Sequence, residues 1–179
     1  MSEQRQVVIV GGGIIGASVA YFLSKHPARP AVTLLEATGI LAPGASGKAG
    51  GFLALDWHGT STSSLASLSY RLHKEIAEAN GGADKWGYRQ VDTHQLSLDA
   101  SRKSRRAPAI DWLNPNVFIS SSIIGGGGST AQVSPGDLTR WLAAEAEKGG
   151  VNISLNSKAT RVERDQQGHV TGVAVSRAG

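Results

Sequence analysis

The chain has 179 residues, and 18 Lys plus Arg against 14 Asp plus Glu give a net charge of 18 − 14 = +4. That length holds one domain of ordinary size with a real core, and the mild positive surplus favours an anionic ligand without arguing for nucleic acid. The chain has no cysteine, which excludes a disulfide framework, a thiolate metal site and a thiolate nucleophile. No apolar stretch approaches the ~20 residues of a membrane span. The first strand starts within a few residues of Met1, which leaves no space for a leader and predicts a cytoplasmic protein.

Val7-Val8-Ile9-Val10 is β-branched throughout and apolar on both faces, as in a strand of a helix-covered parallel sheet. Gly11, Gly13 and Gly16 follow in G-x-G-x-x-G spacing. From Ile14 to Lys25 the apolar residues Ile15, Val19, Phe22 and Leu23 recur at helical spacing. After Pro27 and Pro30, Val32–Glu36 reads as a second strand. In such a strand–helix–strand unit Gly11 permits the tight turn. Gly13 removes a side chain from the path of a pyrophosphate, and Gly16 lets helix and strand pack closely. Ile14 and Ile15 open the helix, whose free N–H groups and positive dipole end face the phosphates. Glu36 stands twenty residues after Gly16, where its carboxylate can accept from ribose hydroxyls and repel a 2′-phosphate. A glycine-rich turn without a ligand needs none of this context, so the unit predicts dinucleotide binding.

The segment "LAPGASGKAGGFLALDW" brings a second cluster of small residues, among them Ala45, Ser46, Gly50 and Gly51, around Lys48. A ligand held only at the first loop does not require it; a long flat one continuing beyond the pyrophosphate does. Ser46 offers a hydroxyl and Lys48 a cation to phosphates or to a flavin's electron-rich side. Gly50 and Gly51 let backbone lie against a ring. A flexible surface loop of small residues is the plain alternative.

Farther on, Leu65, Leu68, Leu72, Ile76 and Ala79 predict a helix over 64–80 stopped by Gly81-Gly82. Tyr88–Leu98 and Asn114–Ile124 are strand candidates, and the four glycines 125–128 form a turn. Ser134-Pro135-Gly136-Asp137 starts a helix that runs to about Lys148. Val151–Leu155, Ala159–Arg164 and Val170–Val175 read as strands. The basic run 101–106 reads as a solvated loop, since it lacks interleaved aromatics. The five histidines have no metal-ligand spacing; His58 stands nearest the second loop and reads as a surface or packing residue, as Trp57 reads as core.

These motifs together resemble the D-amino-acid oxidase-like FAD-dependent oxidoreductases, a group that includes glycine oxidase and sarcosine oxidase. "VVIVGGGIIGASVAYFLSK" with "VTLLE" is similar to their opening fingerprint, and "GASGKAGG" to their second loop along pyrophosphate and flavin. "AQVSPGDLTRWLAAEAEKGGVNISLNSKATRVE" is similar to a later segment whose final strand meets adenine through its main chain, which implies that role for Val162. Ala49 departs from the polar residues many relatives carry there. The resemblance covers the N-terminal half of the family's length. It implies an α/β fold: a Rossmann-like FAD-binding parallel sheet with helices, plus part of an antiparallel substrate-side region. The expected division is 1–85 and 131–179 for the FAD-binding domain and 86–130 for the substrate side. The implied function is oxidation of an amine or amino-acid C–N bond by hydride transfer to flavin, with a small amine or amino acid as substrate and no obligate protein partner. No catalytic acid or base can be assigned from the residues. An NAD-linked dehydrogenase, or a truncated non-catalytic nucleotide-binding product, is the alternative. The resemblance also places a strand that comes after Gly179 on the free side of Val7–Val10.

Overall fold

The computed structural model describes residues 5–101 and 110–177; the basic run at 102–106 lies outside them. In chain order the elements are β1 (Gln6–Val10), α1 (Ile14–Ser24), β2 (Ala31–Leu35), α2 (Ala45–Lys48), β3 (Phe52–Ala54), α3 (Ser63–Asn80) and α4 (Gly82–Trp86). They continue with β4 (Arg89–Gln90), β5 (Thr93–Leu98), β6 (Phe118–Gly125), β7 (Thr130–Gln132), α5 (Pro135–Lys148), β8 (Asn152–Ser154), β9 (Ser157–Arg164) and β10 (Val170–Arg177). The result is the expected α/β class, with a parallel sheet and separate antiparallel sheets. The chain divides into two compact units, Met1–Gly50 with Ser134–Gly179, and Gly51–Val133.

The first unit is built on the parallel sheet β1-β2-β8. Val7 stands beside Val32 and Ile9 beside Leu34, while Leu34 also pairs with Ile153. Central β2 is the hydrophobic anchor: Val32 and Leu35 are buried and Leu34 is wholly so. α1 packs on α5, and each buries small residues, Ala17 and Ala20 on one and Ala143 and Ala146 on the other. The Tyr21 and Trp141 rings meet at 5.7 Å between centroids. α5 begins at Pro135, whose fixed φ suits a first helical residue. The expected cap is different in detail, because the Ser134 hydroxyl donates to the Asp137 carboxylate rather than accepting from the helix. β9 and β10 form an antiparallel hairpin.

Among the described residues β1 is an edge strand of its sheet. On one face of it Val8 is 44 % and Val10 63 % exposed, unusual for β-branched residues suited to a sheet interior.

The second unit holds the antiparallel sheet β3-β7-β4 and the β5–β6 hairpin. The 88–98 stretch is two strands rather than one, because the chain changes partner: β4 pairs with β7 and β5 with β6. α3 ends as expected on Gly81, which adopts φ +69 in the left-handed region that glycine enters at no steric cost. Trp86 of α4 is 2 % exposed and fills the core there. The 125–128 glycines do form a turn, at which the Tyr70 hydroxyl donates to the Gly128 carbonyl at 2.7 Å. No described helix is long and apolar enough to cross a membrane. The short elements α2, α4, β3 and β7 have no periodicity of their own in the sequence; pairing and packing create them.

Candidate nucleotide site

The glycine loop between β1 and α1 is held from several sides. Gly11 has φ +107, a conformation strained for any other residue, and its N–H donates to the Leu35 carbonyl at 2.8 Å. A Cβ on Gly16 would stand 2.0 Å from the Gly11 carbonyl oxygen, so helix and turn touch through backbone alone. Gly12, which the motif leaves open, is as constrained as its neighbours. It is buried, and a Cβ there would meet Leu41 at 2.7 Å and the Glu36 carboxylate at 3.1 Å. Its N–H donates to Glu36 Oε2 at 2.8 Å, and its carbonyl accepts from Ala42 N–H at 3.0 Å. The signal for it was three consecutive glycines where the fingerprint asks for two.

The second loop folds back onto the first. Ser46, on the short α2, accepts the Ile14 N–H on its Oγ at 2.9 Å. It thereby caps α1 from thirty-two residues away. A Cβ on Gly13 would come within 3.0 Å of that same oxygen. Gly47 allows the turn itself, since a Cβ there would lie 2.2 Å from the Ala42 carbonyl oxygen. The structure thus joins Gly11 with Gly16, Gly12 with Glu36, and Gly13 and Ile14 with Ser46. Ile15 is 76 % exposed at the start of α1, and Ala45, Lys48 and Gly50 are exposed as well. A Cβ on Gly50 would meet nothing within 4 Å. Val162 lies on β9 opposite Val173 and is about half exposed. In the second unit, Gly51 adopts φ +74 and accepts from Val133 N–H at 2.9 Å.

The electrostatics of the first unit separate two ends. α1 has no acidic residue in its first turn, so its positive dipole end is not neutralised by a side chain of its own. Glu36, just past β2, is 6 % exposed. Burial opposes its charge, but hydrogen bonds from Thr38 N–H, Gly12 N–H, the Thr38 hydroxyl and Ala37 N–H outweigh that and hold its carboxyl below the ordinary 4.5. A carboxyl that is more acidic folded than unfolded stabilises above the unfolded value, and that contribution is lost as pH falls through the folded one. Urea midpoints measured from pH 6 down to pH 3 should therefore fall less steeply in Glu36→Gln than in the parent. Parallel curves would show that this carboxylate adds nothing to acid sensitivity.

In the second unit His58 is exposed, with its Nε2 2.9 Å from the Ala54 carbonyl oxygen. It lines a cleft of about 310 Å³ together with Phe52, Tyr70 and His73. Trp57 is 45 % exposed rather than core, and its indole N–H donates to the Ile124 carbonyl at 2.9 Å.

A parallel sheet whose first strand runs through a glycine loop into a helix, with an acid closing the second strand, defines a dinucleotide-binding type of architecture. A family model, FAD dependent oxidoreductase (DAO), matches residues 6–179. The chain belongs to this DAO family. The Schizosaccharomyces pombe protein C1F5.03c is 44% identical over 161 residues, covering 87% of this chain and 42% of its own length. Glycine oxidase of Geobacillus kaustophilus is 26% identical over 197 residues, covering 95% of this chain and 51% of its own. Among solved structures, glycine oxidase from Bacillus cereus superposes with a TM-score of 0.74 at 21% identity, over 97% of this chain and 53% of that one. L-proline dehydrogenase from P. horikoshii gives 0.74 at 17%, over 98% and 50%. The chain thus spans about half the length of these relatives, or less.

Proposed function

We propose that this chain is the FAD-binding portion of an oxidoreductase that oxidises a small amine or amino acid at its C–N bond. The first unit serves the nucleotide and the second carries part of the substrate side. The observation that carries the reading is the Ile14–Ser46 hydrogen bond, because it draws a second small-residue loop over the end of α1 where a phosphate is favoured. A site for the ADP half alone needs only the first loop; this arrangement prolongs it.

The residues present fit such a ligand. Gly11 and Gly13 keep side chains off the loop, and the α1 end presents N–H groups to an anion. Ser46 accepts from Ile14 and retains its own hydroxyl proton for a phosphate oxygen. Glu36 would accept from the ribose, Lys48 would add a positive charge, Ala45 and Gly50 would leave space, and Val162 would offer main chain. When bound, the flavin supplies the hydride acceptor; the chain supplies position and charge. The names of the similar proteins, glycine oxidase and L-proline dehydrogenase, support a small amino-acid or amine substrate.

Gly50→Leu tests the reading against an NAD-linked alternative. Space is open at that Cβ, so the melting temperature should stay the same while FAD affinity falls at least about tenfold, the cost of ~1.4 kcal/mol of lost contact. Unchanged FAD affinity, or NADH binding in its place, would contradict it.

A further inference from the structure

We infer that Thr38 is a positioning residue for nucleotide recognition: it fixes which oxygen of Glu36 is offered to the ribose. The inference rests on the FAD reading above, and takes it to a residue that no motif marks.

A carboxylate has two oxygens with about four acceptor positions in all. On Glu36 these are divided unequally. Oε1 receives two donors from one residue, the Thr38 N–H at 2.9 Å and the Thr38 hydroxyl at 3.0 Å. Oε2 receives the Gly12 N–H at 2.8 Å. Thr38 thus engages Oε1, while Oε2 faces the glycine loop; the Ala37 N–H also points at the carboxylate. A ribose hydroxyl approaching along that loop meets Oε2, the oxygen already aligned by Gly12.

Thr38 is itself held firmly enough to act in this way. Its carbonyl accepts the Asn156 N–H at 2.8 Å, and Asn156 sits at φ +51 in the turn between β8 and β9. The Glu36 main chain is fastened to the same region, its N–H donating to the Ser154 carbonyl at 2.9 Å and its carbonyl accepting from Ser157 N–H at 2.8 Å. The orientation of the Glu36 side chain is thus referred, through Thr38, to the sheet and not to solvent. The Thr38 hydroxyl has a second acceptor within reach, the Ile40 carbonyl at 2.9 Å. Its one proton is shared between the two, so the carboxylate must compete for it. Removing the hydroxyl leaves main-chain donors alone to hold the carboxylate, so that Oε2 is presented to the ribose less firmly.

The test is a pair of isothermal titrations, with ADP and with 2′-deoxy-ADP, on the unaltered chain, Thr38→Val and Thr38→Ser. Valine keeps the size and the N–H and loses only the hydroxyl; serine keeps the hydroxyl. The unaltered chain should bind ADP about tenfold tighter than 2′-deoxy-ADP, as one hydrogen bond to a charged group implies. That ratio should fall to about threefold or less in Thr38→Val and return in Thr38→Ser. A merely structural role would weaken both ligands alike and leave the ratio where it was. An unchanged ratio in Thr38→Val overturns this inference and leaves the FAD reading standing. Equal binding of the two ligands by the unaltered chain overturns it too, since Glu36 then does not read the ribose. If the unaltered chain binds neither ADP nor FAD, the FAD reading fails and takes the inference with it.

Discussion

Gly16→Ala should strongly destabilise the first unit. The added methyl would lie 2.0 Å from the Gly11 carbonyl oxygen and 3.3 Å from the Ile9 side chain. The first contact is a Cβ, which has no rotamer of its own, against a backbone oxygen, so no side-chain rotation can relieve it. Relief requires α1 to move off β1, and that move strains the turn at Gly11 and pulls at the Ile14–Ser46 hydrogen bond. Overpacking usually costs about 1–3 kcal/mol and more where the neighbour cannot yield; the upper end applies here. Set against a typical total of about 5–15 kcal/mol, such a loss is large. Urea unfolding followed by circular dichroism gives the answer. Gly13→Ala is the control, since its methyl meets a side-chain hydroxyl at 3.0 Å that can rotate away. Equal midpoints for Gly16→Ala and the parent would mean that helix and turn are not in the contact described.

The second large effect concerns association. The 179-residue polypeptide, purified alone, should self-associate and hold FAD weakly. Among the described residues β1 pairs with β2 on one side only, its face leaves Val8 and Val10 exposed, and the strand has no charge or proline to deter another strand. Beside it α1 exposes Ile15, Val19 and Phe22 at helical spacing. An uncharged β-branched edge next to apolar surface is a template for intermolecular pairing. The same strand leads into the glycine loop, so an unsupported edge also loosens the ligand site. Size-exclusion chromatography should show species larger than the monomer, and Val8→Lys with Val10→Lys should restore a monomer peak. A longer polypeptide that lays a further strand on this edge should be monodisperse without those changes. A monomeric parent would show that the edge is harmless as it stands.

How far the sequence carried this picture depended on whether a feature was local. β1, α1, β2 and α5 each announce themselves through periodicity, a cap or a glycine, and each lies within a residue or two of its expected bounds. The strands β3 and β7 are three residues each, too short for a period, and exist because they pair with one another. At the site, the glycines and Glu36 were legible because a fingerprint specifies them. Gly12 and Thr38 were not, because their constraint comes from Glu36 folding back between them. Ser46 was legible as a hydroxyl near a phosphate, yet its capping of Ile14 depends on a contact thirty-two residues long that no local rule contains. α3 shows the opposite failure: its leucine spacing predicted the helix correctly, but Leu65 and Leu68 remain exposed, so periodicity named the face without naming what covers it.

The proposed function requires that the glycine loop and the second loop together hold FAD. The most direct measurement is a fluorescence titration of the purified protein with FAD, with NADH titrated in parallel and the absorption spectrum of the protein recorded as isolated. Added FAD should be taken up saturably, more weakly when Ser46 is replaced by alanine, with NADH binding poorly or not at all. A colourless protein that takes up NADH and ignores FAD would contradict the proposed function.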